Sequence, residues 1–494
     1  MTQLCLSADR RHIGAGQTRA VQPEQADQKR WRALAVCLCA GFLTLLDVSI
    51  VNVALPSIEE GLGAGPADLQ WILTGYAVAF GLVLVSAGRL GDARGRRRIF
   101  LLGLLVFTAG SAMAGFAPGP GWLSGARVVQ GVGAGILMPQ IAGFIQTLFH
   151  GPERGRAFGL LGAAIGLSTA AGPVTGGVIL DLVGGPDAWR WIFLVNLPVG
   201  LLVLVLALRL LPETDPGTRD SRLDPVGVVL LGAGTVLILL PLIGTDASLA
   251  DRPWWLLGAG VLALVGFLGW ERRHADKGGA PVVDMTLFHR RSYALGAALA
   301  LVYFAGFTPI FFVLTLTLQS GLGYSPLLAG IATTPFAIGG AIAALGGGRL
   351  VDRFGRALVA IGLALSIVGV LGTAAVVGLV PAAALGWAIA GPLFVAGIGS
   401  GLVVSPNQAL TLSEVPVAGG GSAAGVVQTG QRIGTALGIA TVGAAFFTVL
   451  AGGADYLVAF MISLLVVAGL MTLALGIALA DLELNRRTGT RARL

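Results

Sequence analysis

Three ionisable side chains lie well inside the apolar stretches of this chain, where a charge is costly. Asp47 is the only acidic residue at such a depth, and Arg127 and Arg432 are the only basic ones. A charged side chain in hydrocarbon costs about 3 kcal/mol or more unless it is paired, hydrated or neutralised. Burial favours the protonated form of a carboxyl group, whereas a nearby arginine favours the charged form. Asp47 is therefore either a group that binds and releases a proton or a structural acid that is hydrogen-bonded to its neighbours.

The surroundings of the two arginines leave their partners open. Arg127 and Gln130 stand just before the alternating glycines of residues 131–135, inside an apolar run with no strand pattern. This context excludes a nucleotide-binding turn and predicts a close seam between membrane helices. Arg127 then either takes part in proton transfer or only braces helices. The partner of Arg432 is a substrate anion, Asp47 or a backbone carbonyl, and the sequence does not decide among them.

A basic turn that occurs twice, at an offset of 260 residues, divides the chain into related halves. Orientation in a membrane requires charge but neither glycine nor aspartate, so the repeated order of Gly, Leu, Asp and Gly-Arg indicates more than a topogenic loop. The positions concerned, which the resemblance named below assigns to a gating loop, are Gly88, Arg89, Asp92, Gly95 and Arg96 in the first copy and Gly348, Asp352, Gly355 and Arg356 in the second.

The elements that must position these residues are apolar runs long enough to span a bilayer. Only 12% of the 494 residues are charged, about half of what a soluble domain carries. Fourteen runs are predicted, at 33–56, 69–88, 99–116, 121–146, 157–180, 191–210, 225–243, 254–270, 294–318, 326–348, 357–379, 382–409, 421–449 and 456–479.

The distribution of basic residues predicts the orientation of these spans. With the N-terminus inside, 28 of the 32 Lys and Arg fall on the inner side, whereas only Arg190 and Arg252 fall on the outer side. The positive-inside rule therefore predicts both termini in the cytoplasm. We expect the membrane to be the bacterial plasma membrane. The spread of charge over many loops excludes a nucleic-acid partner.

The offset between the copies is about two helices longer than a six-span half requires. Runs 225–243 and 254–270 account for the surplus, and Asp224 with Pro225 predicts the start of the first of them. Neither run contains an ionisable residue, so we expect lipid-facing additions. The predicted organisation is a cytoplasmic tail (1–31), a six-helix bundle (32–211), two further spans with a cytoplasmic linker (212–292), a second six-helix bundle (293–480) and a cytoplasmic tail (481–494).

Five stretches resemble the major facilitator superfamily of secondary transporters and, within it, the fourteen-span drug:proton antiporter branch. They are the repeated turn, the Leu-Asp-Val-Ser-Ile-Val-Asn-Val-Ala-Leu-Pro stretch around Asp47, the Arg-x-x-Gln-Gly-x-Gly-x-Gly stretch from Arg127, Gly172-Pro173-x-x-Gly176-Gly177, and the Trp-Arg-Trp stretch from Trp189. Ser49 stands where that branch usually has threonine and keeps the hydroxyl group.

This resemblance implies an all-α integral membrane protein with two six-helix halves and two extra central spans. It implies export of hydrophobic drug-like molecules in exchange for protons, with Asp47 and Arg127 as the proton-coupling pair and residues 172–177 as the antiporter motif. Tentative substrate-binding residues are Asn52, Gln130, Phe307, Phe311 and Arg432. Phe307 and Phe311 share a helical face with Phe304, which fits a substrate-lining stripe or a packing face.

The partners expected from this interpretation are a small-molecule substrate, protons and the lipid bilayer, for a protein that acts as a monomer. The proton gradient supplies the energy, and no cofactor or metal is expected. Alternatives are a proton-linked importer, against which the antiporter motif argues, and a transport-inactive sensor, which would be expected to lose Asp47 and Arg127. Three cysteines and four histidines show no metal spacing, and no catalytic set indicates an enzyme.

Overall fold

The structure is a computed structural model that describes residues 23–213, 224–243, 252–279, 281–381, 384–413, 415 and 420–487. Its described part is helical apart from short connections and contains no strand. Thirteen helices there are long and apolar enough to cross a membrane, and a shorter apolar helix covers Pro225–Leu239. These helices confirm the all-α membrane fold. The tail 1–22, the loops around Gly217 and Ser248, the surroundings of Gly348 and the side chain of Asp352 lie outside this description.

The first half of the chain forms six spans. They are α1 (Pro23–Leu62), α2 (Pro66–Arg94), α3 (Arg96–Gly115), α4 (Pro120–Leu148), α5 (Gly151–Val183) and a broken span of α6 (Arg190–Leu194) and α7 (Asn196–Leu210). Prolines in the first turn of α2 and α4 start these helices at no cost in hydrogen bonds, because the first amides of a helix have no partner within it.

The two additional helices are α8 (Pro225–Leu239) and α9 (Trp255–Asp276). Asp224 caps α8 by accepting a hydrogen bond from the Gly227 amide, as its sequence predicted. The two helices touch at Gly234 and Gly260. On α9, Leu262 is 72% exposed, which agrees with the predicted lipid-facing position.

The second half contains α10 (Arg291–Phe307), α11 (Pro309–Leu316), α12 (Pro326–Phe354), α13 (Arg356–Val377), α14 (Leu385–Ala388), α15 (Ala390–Leu412), α16 (Gly420–Ala451) and α17 (Tyr456–Arg487). Three spans of the described protein are interrupted, between α6 and α7, α10 and α11, and α14 and α15; the first and third interruptions lie near the start of the span. In each case a proline follows the break within three residues, at Pro198, Pro309 and Pro392. A proline lacks the amide that would continue the helix, which explains why the breaks lie there.

The alternating glycines of α4 form the predicted close seam. A Cβ atom on Gly131 would lie 2.5 Å from the Tyr76 carbonyl oxygen, and one on Gly135 would lie 2.6 Å from that of Phe80. Gly133, on another face, lies directly against Phe107 of α3. Glycine at these positions therefore lets α4 pack at backbone distance against α2 and α3 at once.

The two halves meet along two pairs of helices, α2 with α16 and α5 with α12. Helices α5 and α12 are in close contact at one end of the bundle. A Cβ atom on Gly177 of α5 would lie 2.5 Å from Leu327 Cα of α12. At the same end, Gln319 donates a hydrogen bond of 2.9 Å from Nε2 to the Val53 carbonyl. This end of the molecule is closed between the halves.

The other end, which carries Arg30, Arg96 and Arg356 and is called the basic end below, is open between α5 and α12. Gly159 and Gly166 lie on the same face of α5 as Gly177, because they precede it by about five and three helical turns. A Cβ atom on either of them would have no neighbour within 4 Å among the described residues. The two helices therefore diverge from their contact at Gly177 towards the basic end.

Candidate functional site

A closed polar cluster surrounds Asp47 in the middle of α1. The Asp47 side chain is fully buried and its Oδ2 accepts from Arg127 Nη1 of α4 at 2.5 Å. Its Oδ1 accepts from Gln130 Nε2 at 2.8 Å and from Asn196 Nδ2 at 2.9 Å. The carboxyl group thus receives three donors from α4 and α7.

A second layer of contacts holds the donors in place. Gln130 and Asn196 also donate to Ser111 Oγ of α3, at 3.2 and 2.9 Å, and Ser111 donates to the Phe193 carbonyl. Arg127 donates from Nε to the Ile72 carbonyl at 3.2 Å and from Nη1 to Gln130 Oε1 at 2.7 Å. The guanidinium group therefore bridges three elements, and any movement of α1 against α4 changes its pairing with Asp47.

Sequence reasoning found Asp47, Arg127 and Gln130 but assigned Gln130 to the substrate. The structure places Gln130, which is fully buried, in the Asp47 cluster. Ser111 was missed, and Asn196 was noted only as part of a motif. Neutral polar residues are common in membrane helices, so neither position carried a signal as strong as an intramembrane charge.

A row of aromatic rings connects this cluster to the second half of the chain. The Arg127 guanidinium lies 4.2 Å from the ring centre of Tyr76, and the Tyr76 ring lies 5.9 Å from that of Phe80. On the other side of this pair, the guanidinium group of Arg432, from α16, lies 4.1 Å from the ring centre of Phe80. Two intramembrane arginines from different halves thus stand at the two ends of one aromatic pair.

Arg432 reaches Phe80 because residue 81 is a glycine. A Cβ atom on Gly81 would lie 3.0 Å from Arg432 Cβ, and Thr429 donates to the Gly81 carbonyl at 2.8 Å. The half-buried Arg432 side chain makes no hydrogen bond or ion pair with any described residue. The contact with the Phe80 ring, a cation–π interaction, takes the place of an ion pair at this arginine.

The predicted phenylalanine stripe forms a cluster in the second half. Phe307 lies 5.5 Å from Phe311 and 5.3 Å from Phe336 of α12, ring centre to ring centre. Phe307 and Phe311 are half-buried, so parts of both rings remain accessible. Thr308, at the break between α10 and α11, lies 3.1 Å from Thr435 of α16, one helical turn beyond Arg432.

Asn52, the remaining candidate for substrate contact, is half-buried on α1 and donates to the Val48 carbonyl of its own helix at 3.2 Å. Within the described residues, no group of three or more His, Cys, Asp or Glu side chains could hold a metal ion.

Residues 37–439 match the family described as the Major Facilitator Superfamily. The chain belongs to this superfamily. It is therefore a multi-pass membrane transporter protein, and the resemblance carried by its motifs is confirmed.

Curated relatives and a solved structure agree with this assignment. The chain is 38% identical to the probable actinorhodin transporter of Streptomyces coelicolor, over 88% of this chain and 75% of the relative. It is 37% identical to the puromycin resistance protein pur8 of Streptomyces alboniger, over 84% of this chain and 81% of the relative. A bacterial homologue of the human drug peptide transporters PepT1 and PepT2 shares the fold at a TM-score of 0.65 and 17% identity, over 93% and 99% of the two chains.

The antiporter motif of this superfamily member packs α5 between the two halves. Gly172 and Gly176 lie against Ser49 and Ile50 of α1, while Gly177 faces α12. Pro173 has no amide, so the Thr169 carbonyl four residues earlier loses its helical donor. Ser49 supplies the missing donor, from Oγ to the Thr169 carbonyl at 3.1 Å. This bond gives the hydroxyl group at position 49 a physical role.

Removing that hydroxyl group should loosen the α1–α5 contact. We expect Ser49→Ala to lower the free energy of unfolding by about 1 kcal/mol, the net value of one such hydrogen bond. Ser49→Thr, which keeps the hydroxyl, should stay close to the parent. The measurement is thermal unfolding of the purified variants in the same detergent. Equal stability of Ser49→Ala and the parent would mean that the Thr169 carbonyl finds another donor.

In the first copy of the repeated turn, Asp92 pairs with Arg96 across the junction of α2 and α3. The two side chains are 2.7 Å apart, and Asp92 is 27% exposed. Gly95 between them has a φ of 95°, a conformation that only glycine adopts without strain. Arg96 also lies directly against Gly143 of α4, where a side chain would displace it.

Arg89 of the same turn faces the additional helices. The carboxyl groups of Glu271, Asp284 and Asp224 are close enough to attract the positive charge of Arg89. Glu271 lies just beyond the predicted run 254–270, which contains no ionisable residue. The helix continues to Asp276, and Glu271 in its last turns lies close to Arg89 of the repeated turn.

Neutralising Asp92 should impair transport without preventing assembly. A partly exposed ion pair contributes at most about 1 kcal/mol to stability, so Asp92→Asn should insert normally. Transport should fall about tenfold if the pair holds one of the two conformations. Asp68→Asn, at the opposite end of α2, is the matched control. The same change at Asp352 should be milder, since its turn carries fewer arginines. Full activity of Asp92→Asn at equal expression would leave the turn a determinant of topology only.

In the second copy, Arg356 does not repeat the contact of Arg96. It is buried and pairs with Asp481 of α17, from Nε to Oδ2 at 2.7 Å. It also donates to Asn407 Oδ1 at 3.0 Å and to the carbonyl and hydroxyl oxygens of Ser292. Gly355 before it has a φ of 52°. The second turn therefore ties three further helices together at the basic end.

Proposed function

We propose that this protein exports hydrophobic, drug-like small molecules across the plasma membrane in exchange for protons, by alternating access. The observation that carries the proposal is the fully buried pair of Asp47 and Arg127, on different helices of the first half. Relatives that are named for actinorhodin transport and puromycin resistance support a drug-like substrate. Coupling to protons is inferred from the chemistry of the pair.

The orientation follows from the charge distribution. The basic end should face the cytoplasm, because inner loops of membrane proteins are enriched in Lys and Arg. Reporter fusions near Gly217 and Gly279 should then read cytoplasmic, and a fusion near Ser248 should read external. A cytoplasmic reading near Ser248 would mean that α8 and α9 do not cross the membrane. With this orientation, α5 and α12 diverge towards the cytoplasm, and this divergence supports the assignment of the described conformation to the inward-facing state of the cycle.

The proposed cycle uses the charge of Asp47 to link the two directions of movement. In the inward-facing state Arg127 pairs with Asp47, as in the described structure, and the substrate enters from the cytoplasm. When the halves close at the basic end and open at the other, Asp47 takes a proton on the oxygen that Arg127 releases. The return step carries this proton inward, and renewed contact with Arg127 expels it.

The driving force is sufficient for efflux. One inward proton is worth about 2.3 kcal/mol per 100 mV of membrane potential. One pH unit adds about 1.4 kcal/mol. At about 1.4 kcal/mol per tenfold change, the sum of roughly 3.7 kcal/mol supports a gradient of a few hundredfold for a neutral substrate.

Transport into inside-out membrane vesicles tests the proposal. With an acidic vesicle interior, dyes and antibiotics should accumulate, and a protonophore should abolish the accumulation. Vesicles that contain Asp47→Asn provide the matched control. Accumulation that survives the protonophore would exclude proton coupling, and proton-driven movement in the opposite direction would favour the importer alternative.

A further inference from the structure

We infer that Arg432 is an anion-binding residue of the substrate pathway, so that the preferred substrates are aromatic or similarly apolar molecules with an acidic group. This inference rests on the proposed export function and specifies its substrate class. It begins from a charge at the interface between the halves for which the described protein supplies no counterion.

The other arginines buried within helices of the bundle are treated differently. Arg127 pairs with Asp47, and Arg356 pairs with Asp481. Both contacts neutralise the charge and occupy donors of the guanidinium group. Arg432 lies over an aromatic ring instead. The ring attracts the positive charge, but it does not accept conventional hydrogen bonds from the five N–H groups of the guanidinium group. Its hydrogen-bonding capacity therefore remains available to a ligand or to water.

The position of Arg432 is suited to a transported ligand. Its helix, α16, forms one side of the interface between the halves, and its side chain crosses to Phe80 of α2. A group that binds there contacts both halves, whose relative position changes during alternating access. Arginine is also the side chain best adapted to carboxylates, since its planar fork can donate two parallel hydrogen bonds.

Apolar surface for the remainder of the molecule lies nearby on the second half. Thr435, one turn along α16 from Arg432, contacts Thr308 at the start of the α10–α11 break. Phe307 precedes that break and Phe311 follows it, and both expose part of their rings. An aromatic body against these rings and an acidic group at Arg432 would use both features of the site.

An anionic substrate also has an electrical consequence. Exchange of one neutral molecule for one proton moves a single charge, whereas exchange of a monoanion moves two. A membrane potential of 59 mV alone then supports about a tenfold gradient of the neutral molecule and about a hundredfold gradient of the anion.

The test compares anthracene-9-carboxylate with its neutral analogue anthracene-9-carboxamide. Equilibrium binding of both probes to the purified protein is followed by their fluorescence, for the parent, Arg432→Gln and Arg432→Lys. Removing a charge-assisted hydrogen bond should weaken binding of the acid about tenfold to a hundredfold in Arg432→Gln. The amide should change less than about twofold, and Arg432→Lys should recover part of the acid binding. Arg273→Gln, an exposed position at the end of α9, is the control.

Equal loss of both probes in Arg432→Gln would overturn the inference, because it would indicate that Arg432 only supports the structure. Failure of the parent to bind the acid, or to prefer it over the amide, would overturn it as well. Binding at equilibrium does not require proton coupling. Two results together would therefore separate the proposals. If the preference for the acid depends on Arg432 but transport does not depend on the pH gradient, the proposed proton antiport is wrong and the inference about Arg432 still holds.

Discussion

Asp47→Asn is expected to abolish proton-driven export while substrate binding stays nearly unchanged. The substitution preserves size but removes the only described carboxyl group of the Asp47 cluster. An asparagine has one acceptor oxygen, whereas the carboxylate uses two oxygens to accept from three donors. The variant can neither take up a proton from outside nor release one inside, so the two directions of movement lose their link.

The measurement is substrate-induced proton release from proteoliposomes that contain a pH-sensitive dye. Asp47→Glu, which keeps a carboxyl group, should retain partial exchange and thus separate loss of the proton site from disturbance of packing. Arg127→Lys should shift the pH optimum rather than erase transport, because it keeps the charge but loses the planar fork that reaches Ile72 and Gln130 together. Normal proton exchange by Asp47→Asn would place the coupling site elsewhere.

The sequence predicted the centre of this site because charges inside apolar runs are rare and costly. Asp47 and Arg127 stood out for that reason, 80 residues apart, and the structure brings them together. Asn196 and Ser111 complete the cluster but are neutral, and small neutral side chains occur in many membrane helices without a functional role. Their contribution depends on how four helices cross, which no local pattern records.

The repeated turn shows a second limit of sequence reasoning. The two copies carry equivalent residues, yet Arg96 pairs with Asp92 of its own turn and Arg356 with Asp481 of the last helix. The two copies share a glycine with a positive φ, at Gly95 and at Gly355. The partner is decided by which carboxylate the neighbouring helices bring within reach, and residue 481 is separated from residue 356 by several helices.

Breaking the Arg356–Asp481 pair is expected to have the largest effect on stability of any single change considered. The two side chains are 7% and 3% exposed, so neither can be hydrated well if its partner is removed. Removal of one member of a buried ion pair typically costs about 3–5 kcal/mol, because the other charge remains in a medium of low polarity. Arg356→Met should therefore lower the unfolding temperature strongly and reduce the amount of protein in the membrane.

A double variant distinguishes this explanation from a simple loss of packing. Arg356→Met combined with Asp481→Leu removes both charges, and replacement of a buried pair by apolar residues is often neutral. The double variant should thus be more stable than Arg356→Met alone, although Asn407 and Ser292 lose their donor in both. Thermal unfolding of the parent, both single variants and the double variant in one detergent gives the interaction energy of the pair. If the double variant is less stable than each of the single variants, the two side chains stabilise the protein by packing. The charge of Arg356 would then not be needed to compensate the charge of Asp481.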